Sequence, residues 1–163
     1  MLLGVISDTH DNLPKTAAAV DLFARRKVGH VVHAGDFVAP FTVRLLVGSG
    51  LPLTGVFGNN DGERAGLKKA CAAIYEPPRR LVLGGRTIVL AHDPEQLEGA
   101  GEGADVLIYG HTHAPCVEQG SPLRLNPGEA GGWLSGRSTV AIVDLAVLTA
   151  ELVDLGAQET VKL

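Results

Sequence analysis

The chain is predicted to fold as an α/β domain, with a largely parallel sheet in its first half and a second sheet in its second. Three observations carry that expectation. Three apolar runs in succession each end in a polar tip and lead into a helix-like segment, the alternation expected of βαβ units. Further on, apolar runs come in pairs joined across Gly-containing turns, as in β-hairpins. The polar tips repeat one chemistry: Asp, Asn and His.

Residues 2–7 form an apolar run without alternation, the pattern of a strand buried on both faces. The run ends in Asp8-Thr9-His10-Asp11-Asn12. Asn12 suits a helix N-cap and Pro14 a first turn. Ala17, Val20 and Ala24 keep helical spacing on one face, and Arg25-Arg26-Lys27 falls where the helix dipole favours positive charge. Residues 30–33 read as a second strand ending in Ala34-Gly35-Asp36, with a short helix over about 40–47. Residues 53–57 read as a third, ending in Gly58-Asn59-Asn60-Asp61, with a helix over about 63–73.

The second half is richer in strands. Residues 80–83 and 86–91 predict a hairpin across Gly84-Gly85, and the second of these runs ends at His92-Asp93. A Gly-rich stretch, read as helical, leads to a strand at 106–109 and then Gly110-His111-Thr112-His113. Residues 116–119 and 123–125 form another hairpin around Gly120-Ser121, and strands at 139–145 and 149–154 follow. No internal repeat, linker or low-complexity tail interrupts the pattern, so a single domain over 1–163 with two sheets is expected.

Composition narrows the function. A formal net charge of −4 and 4% aromatic residues weigh against a nucleic-acid partner, whose footprint is basic and often aromatic. Cys71 and Cys116 are too isolated for a disulfide framework and read as free thiols in a reducing compartment. The opening Met1-Leu2-Leu3-Gly4-Val5-Ile6 reads directly as a strand, not a signal peptide. No apolar stretch approaches the roughly 20 residues of a membrane span. A cytoplasmic protein that does not enter the membrane is therefore expected.

The chemistry collects at the strand ends, where open α/β sheets bind ligands. Asp8 and His10 follow the first strand, Asp36 the second, Asn59 the third, His92 the fifth, and His111 with His113 the sixth. Four of the six histidines lie in this set. Two aspartates, an asparagine and four histidines offer oxygen and nitrogen with no thiolate, which suits Mn, Fe, Zn, Ni or Co better than Ca or a soft metal. Seven donors exceed what one tetrahedral ion takes and suit two ions sharing a carboxylate, as in hydrolytic two-metal sites.

On the segments Ser7-Asp8-Thr9-His10, His33-Ala34-Gly35-Asp36, Gly58-Asn59-Asn60-Asp61, His92 and Gly110-His111-Thr112-His113, the chain resembles the calcineurin-like metallophosphoesterase superfamily, particularly its small bacterial and archaeal phosphodiesterase branch. The resemblance runs from Asp8 through Asn126-Pro127-Gly128. It implies a four-layer α/β/β/α sandwich of two mixed sheets flanked by helices. It implies one metal ion held by Asp8, His10, Asp36 and His113, and a second held by Asp36, Asn59, His92 and His111. Asp36 would bridge them, with a bridging hydroxide as the nucleophile. Manganese leads as the metal, with Fe, Ni, Zn, Co and Mg as alternatives. Asn60 and Asp61 are the catalytic candidates beside the ligands, Asp61 orienting a histidine such as His10. The 126–128 loop resembles one that closes over the site, and the tendency of relatives to self-associate adds a homo-oligomer to the expectations.

The chain departs from the superfamily pattern at three positions. Larger members carry Gly-Asn-His-Asp or Gly-Asn-His-Glu, whose His helps protonate the leaving group; here Asn60 stands there, as the small branch often allows. Asp93 follows His92 where Gly is usual, and Glu129 follows Gly128 where Ser is commoner. Both bear on substrate choice. Outside the set, His33 reads as a satisfied core histidine, His30 as a surface residue, Trp133 as packing and Cys116 as buried.

The expected function is hydrolysis of a phosphate ester, foremost a phosphodiester, on a small or nucleotide-like molecule. The alternatives are a phosphomonoesterase or nuclease of the same superfamily, and a non-catalytic protein-binding scaffold, the use a retromer subunit makes of this fold. The acidic balance weighs against the nuclease. Seven chemically competent donors weigh against the scaffold.

Overall fold

The structure is a computed structural model that describes residues 1–156. Residues 157–163, the end of the expected domain, lie outside the described residues. Among the described residues, eleven strands and three α-helices make two mixed sheets with the helices outside. In the first sheet β1 (Leu2–Ile6), β2 (His30–His33), β3 (Leu53–Val56) and β4 (Ile74–Tyr75) run parallel. The antiparallel strands β10 (Thr139–Asp144) and β11 (Thr149–Asp154) extend the β1 edge. The second sheet comprises β5 (Arg79–Leu83), β6 (Arg86–Leu90), β7 (Val106–Ile108), β8 (Cys116–Glu118) and β9 (Leu123–Asn126) in the order β5-β6-β7-β9-β8. Only β6, β7 and β9 are mutually parallel there.

Strand alternation divides the core. Leu3 and Val5 of β1 join Val32 and Val56 in packing against Ile88, Leu90, Ile108 and Leu125 of the second sheet. Ile6 faces the opposite layer, where helices α1 (Leu13–Arg25), α2 (Pro40–Gly48) and α3 (Arg64–Ala70) cover the first sheet. Gly4 makes that layer fit, because a Cβ there would meet the Phe23 ring at 3.1 Å. The outer face of the second sheet is covered thinly. A 3-10 turn at Pro94–Leu97 and the chain after it lay Leu97, Ala100 and Ala104 over Val89, Leu107 and Tyr109.

Several local expectations change. The buried stripe of α1 is Thr16, Ala19, Leu22 and Phe23 rather than the Ala17, Val20 and Ala24 face; the larger apolar side chains set the rotation. Helix α3 stops at Ala70, because Cys71 turns extended and the chain pairs with β3 as β4. The stretch before β7 is not a helix: Gly99 and Gly103 take φ of 70° and 68°, and glycine resists helix by about 1 kcal/mol each. Among the described residues, no helix is long and apolar enough to cross a membrane. Cys71 and Cys116 are free, and Cys116 is half-buried rather than buried. His30 is half-buried too, with Nε2 2.9 Å from Thr54 Oγ1.

His33 is a satisfied core histidine, as expected. Its Nδ1 accepts from the Gly35 N–H at 3.2 Å, so the ring proton sits on Nε2 and points to Thr9 Oγ1 at 3.1 Å. Thr9 Oγ1 in turn donates a hydrogen bond to the Asp36 carbonyl. The ring stacks on Phe37 at 3.6 Å. Burial first, then the neighbouring His92 and His10, hold the His33 pKa well below its ordinary value. Folded His33 thus stays neutral as the pH falls while unfolded His33 takes up a proton, and stability is lost below the unfolded pKa of 6.5. Denaturant titrations of metal-free protein should show wild type losing more stability than His33→Gln as the pH falls from 7 to 5. Equal losses would mean that His33 charges within the fold.

Candidate metal centre

Backbone hydrogen bonds tie four of the five tips that carry the candidate ligands into two pairs. Asp8 N donates to Gly35 O, His10 N to Asp36 O, and Gly110 N to His92 O. Asp8, His10, Asp36, His111 and His113 all adopt positive φ, between 42° and 65°. Side chains rarely take that conformation, which costs about 1–3 kcal/mol per residue and concentrates at functional sites. Three motif glycines exist for close approach. A Cβ on Gly35 would lie 2.6 Å from His92 Nδ1, one on Gly58 would collide with the Asp36 carboxylate, and one on Gly110 with Ser7 Oγ.

The outcome is one continuous chain of donors containing all seven residues. His113 Nε2 lies 3.4 Å from Asp8 Oδ1, which lies 3.9 Å from His10 Nε2. His10 Nε2 is 3.7 Å from Asp36 Oδ2, and Asp36 Oδ2 is 3.5 Å from His92 Nε2. His92 Nε2 lies 2.8 Å from Asn59 Oδ1, which lies 3.0 Å from His111 Nδ1. Asp36 stands in the middle, with His10 and Asp8 on one side and His92 and Asn59 on the other. Two triads within it, Asp8-His10-His113 and Asp8-Asp36-His92, each bring ligand atoms within 4.8 Å of one another. Asp8 therefore reaches toward both groups, a sharing that the resemblance assigned to Asp36.

Unpaired atoms test whether a cation fits. Asp8 is fully buried; its Oδ2 accepts from Ser7 Oγ at 2.6 Å and His111 N at 3.1 Å, but Oδ1 has no partner. His10 Nε2 is likewise buried without one. Leaving such a group unsatisfied costs about 1–3 kcal/mol, more when charged. A divalent cation satisfies both atoms at once, and the two carboxylates among the donors offset half the charge of two such ions. Asp8 foremost, then Glu129 and Asp36, also hold the His113 pKa above its ordinary value. The donor set fits a pair of divalent ions.

The residues around the donors were less legible. Asp61 does not orient His10. Its Oδ2 accepts from Gly58 N at 2.7 Å and Asp36 N at 3.0 Å, and its Oδ1 from Val38 N at 2.7 Å. Asp61 thus clamps the backbone that presents Asp36; burial foremost raises its pKa against those hydrogen bonds. Asn60 spends its donors on the same carboxylate: its backbone N on Asp36 Oδ1 at 2.8 Å and its Nδ2 on Oδ2 at 2.7 Å. His92 Nδ1 donates to Ala34 O at 2.8 Å, which leaves Nε2 with a lone pair toward the donors. Asn126 donates to Gly110 O and Thr112 Oγ1, bracing the loop of His111 and His113. Trp133, expected to be packing, is 65% exposed, and its Nε1 donates to His10 O at 3.2 Å. Glu129 is fully buried and accepts N–H bonds from Trp133, Leu134 and Ser135. Burial would raise the Glu129 carboxyl, but those donors outweigh it and lower it.

Comparison with known proteins identifies the family and the fold. The model of the calcineurin-like phosphoesterase superfamily domain matches residues 1–147. A phosphodiesterase of Methanocaldococcus jannaschii is 36% identical over 154 residues, covering 88% of this chain and 93% of that one. The solved structure of an archaeal phosphodiesterase superposes with a TM-score of 0.86 at 32% identity, covering 94% of this chain and 99% of that one. Vps29 of Entamoeba histolytica, solved with zinc, superposes at 0.69 with 22% identity, over 95% and 99% of the two chains; at that identity the likeness is one of fold.

Asp36 touches both halves of the donor chain, so its loss should disable both. Metal analysis of Asp36→Ala after Mn²⁺ loading should find far less than the two ions per chain expected of wild type. The stabilisation that a hundredfold excess of ion over its Kd confers, about 2.7 kcal/mol per site, should vanish with it. A variant that keeps two ions would refute the central place of Asp36.

Proposed function

The chain belongs to the calcineurin-like phosphoesterase superfamily, and from that premise we propose that it is a two-metal phosphodiesterase. The observation that carries the reading is the buried, unpaired pair of Asp8 Oδ1 and His10 Nε2 within the chain of seven donors. Asp8, His10, Asp36 and His113 would hold one ion; Asp36, Asn59, His92 and His111 would hold the other. Manganese leads as the metal, because the donors are oxygen and imidazole nitrogen without sulfur. Two such ions supply an activated water and positive charge for the phosphoryl oxygens.

The protein's own groups hold and shape this centre. Asn60 and Asp61 fix Asp36, one through its carboxylate and the other through its backbone. Two clefts share His111 as a wall. One, of about 420 Å³, is lined by Thr112, Ala114, Leu134 and Ser135; the other, of about 320 Å³, by Phe57, Arg64, Pro77, Asp93 and Gln96. A phosphoryl group at the shared wall can send one substituent into each cleft, which supports a diester over a monoester. The net charge of −4 supports a small phosphate-ester or nucleotide-like substrate over nucleic acid, and the free cysteines support a cytoplasmic setting. A binding scaffold has no use for unpaired buried donors.

Metal-stripped protein given an activated aryl phosphodiester or the matching monoester should turn over the diester faster, and only with added Mn²⁺. Two bound ions without hydrolysis of either ester would overturn the catalytic reading. Asn60 has no acidic proton to give a departing alkoxide, and a missing general acid costs about 10²–10⁴-fold. Rates across a series of diesters should therefore fall steeply as the leaving-group pKa rises. A flat series would reveal an acid elsewhere in the site.

A further inference from the structure

Asp93 and Glu129, two of the three departures from the superfamily pattern, lie outside the chain of seven donors. Each faces one imidazole of Gly110-His111-Thr112-His113. Glu129 Oε2 lies 3.5 Å from His113 Nδ1, while His113 Nε2 turns to Asp8. Asp93 Oδ2 lies 3.9 Å from His111 Nε2, while His111 Nδ1 turns to Asn59. The two rings use opposite nitrogens, yet the arrangement is the same. One nitrogen meets the donor chain and the other meets a carboxylate.

An imidazole binds a metal through a nitrogen lone pair, so its proton must reside on the other nitrogen. A carboxylate beside that second nitrogen holds the proton there, fixes the ring and raises its basicity. His92 has the same support from the Ala34 carbonyl. We propose that Glu129 and Asp93 are positioning residues for the metal centre, Glu129 setting His113 and Asp93 setting His111. The inference rests on the two-metal reading above and deepens it.

Their surroundings predict unequal effects. Glu129 is fully buried, and its oxygens also take the N–H groups of Trp133, Leu134 and Ser135, so it ties His113 to the loop that walls one cleft. Asp93 is 35% exposed and farther from its ring, so water competes with it. It also caps the following 3-10 turn through Glu95 N. Asn caps as well as Asp, so Asp93→Asn removes the charge and keeps the cap. Gln likewise keeps an acceptor oxygen at position 129.

Calorimetric titration of metal-stripped protein with Mn²⁺ tests the proposal apart from activity. Wild type should take up two ions. Glu129→Gln should weaken one of them by tenfold or more, within the 10–100-fold range of such partners. Asp93→Asn should weaken the other by a few-fold and, by removing negative charge near an anionic substrate, lower KM. Metal-free Asp93→Asn should unfold at the wild-type temperature, which separates positioning from folding. Nitrogen-15 spectra of Zn²⁺-loaded protein should place the proton on Nδ1 of His113 and Nε2 of His111. Wild-type affinity for both ions in both variants, or the opposite tautomers, overturns the inference while leaving the metal centre standing. Should Glu129→Gln not fold, Asp93→Asn and the wild-type spectra decide it. A wild type that binds no ion overturns the two-metal reading and this inference together.

Discussion

The Asp8 carboxylate is the constraint around which the site is arranged. It is fully buried, and one of its oxygens accepts no hydrogen bond. A carboxylate withdrawn from water costs several kcal/mol unless something compensates it, and the surrounding structure compensates half. Ser7 and the His111 backbone satisfy Oδ2, while Oδ1 faces His10 and His113. The same economy shows in the backbone, where five donors hold positive φ. Strain and an unpaired charge at the same place are what a site reserved for a cation requires, and neither serves stability in its absence.

The fold makes that arrangement affordable. Parallel strands end on one rim, so residues distant in sequence arrive together without long loops. The inter-sheet core of Leu3, Val5, Val32, Val56, Ile88, Leu90 and Ile108 holds the strands from both sheets in register beneath the tips. Thus β6 and β7, from the second sheet, deliver His92, His111 and His113 to ligands rooted in the first. The rim spans both sheets, and a single sheet would carry only Asp8, His10, Asp36 and Asn59.

What the sequence made legible follows from locality. The seven donors each sit one to four residues past an apolar run, and their residue types are costly in such places unless used. Most strands in their order along the chain, and the α1 N-cap, were legible for the same reason. Readings that needed partners far away were not. The buried face of α1 depends on how Phe23 meets Gly4, and the end of α3 on a pairing with β3. Asp61 could be seen as important, but not that its partners are the N–H groups of Asp36, Val38 and Gly58. Trp133 and Glu129 gave even less local signal, because their contacts with His10 and His113 cross more than a hundred residues and fifteen residues of chain respectively.

The fold alone leaves the activity open, since one architecture serves both phosphodiesterases and Vps29. What separates the readings is the disposition of individual polar atoms. A surface that only binds proteins can let each buried donor find a partner within the chain, and selection for stability favours that. Here Asp36 and His92 each take one outside support, from Asn60 and from the Ala34 carbonyl, while their remaining contacts, like that of His111 Nδ1, run to other donors. The donor atoms face one another, and the two that make no hydrogen bond, Asp8 Oδ1 and His10 Nε2, lie inside that set. Hydrogen bonds from outside the set, through Asn60, Asp61, Ala34 and Ser7, orient it without filling it. Such a cluster suits a charged occupant, and a pair of divalent ions held by two carboxylates, four imidazoles and an amide would retain the positive charge that a phosphate ester seeks.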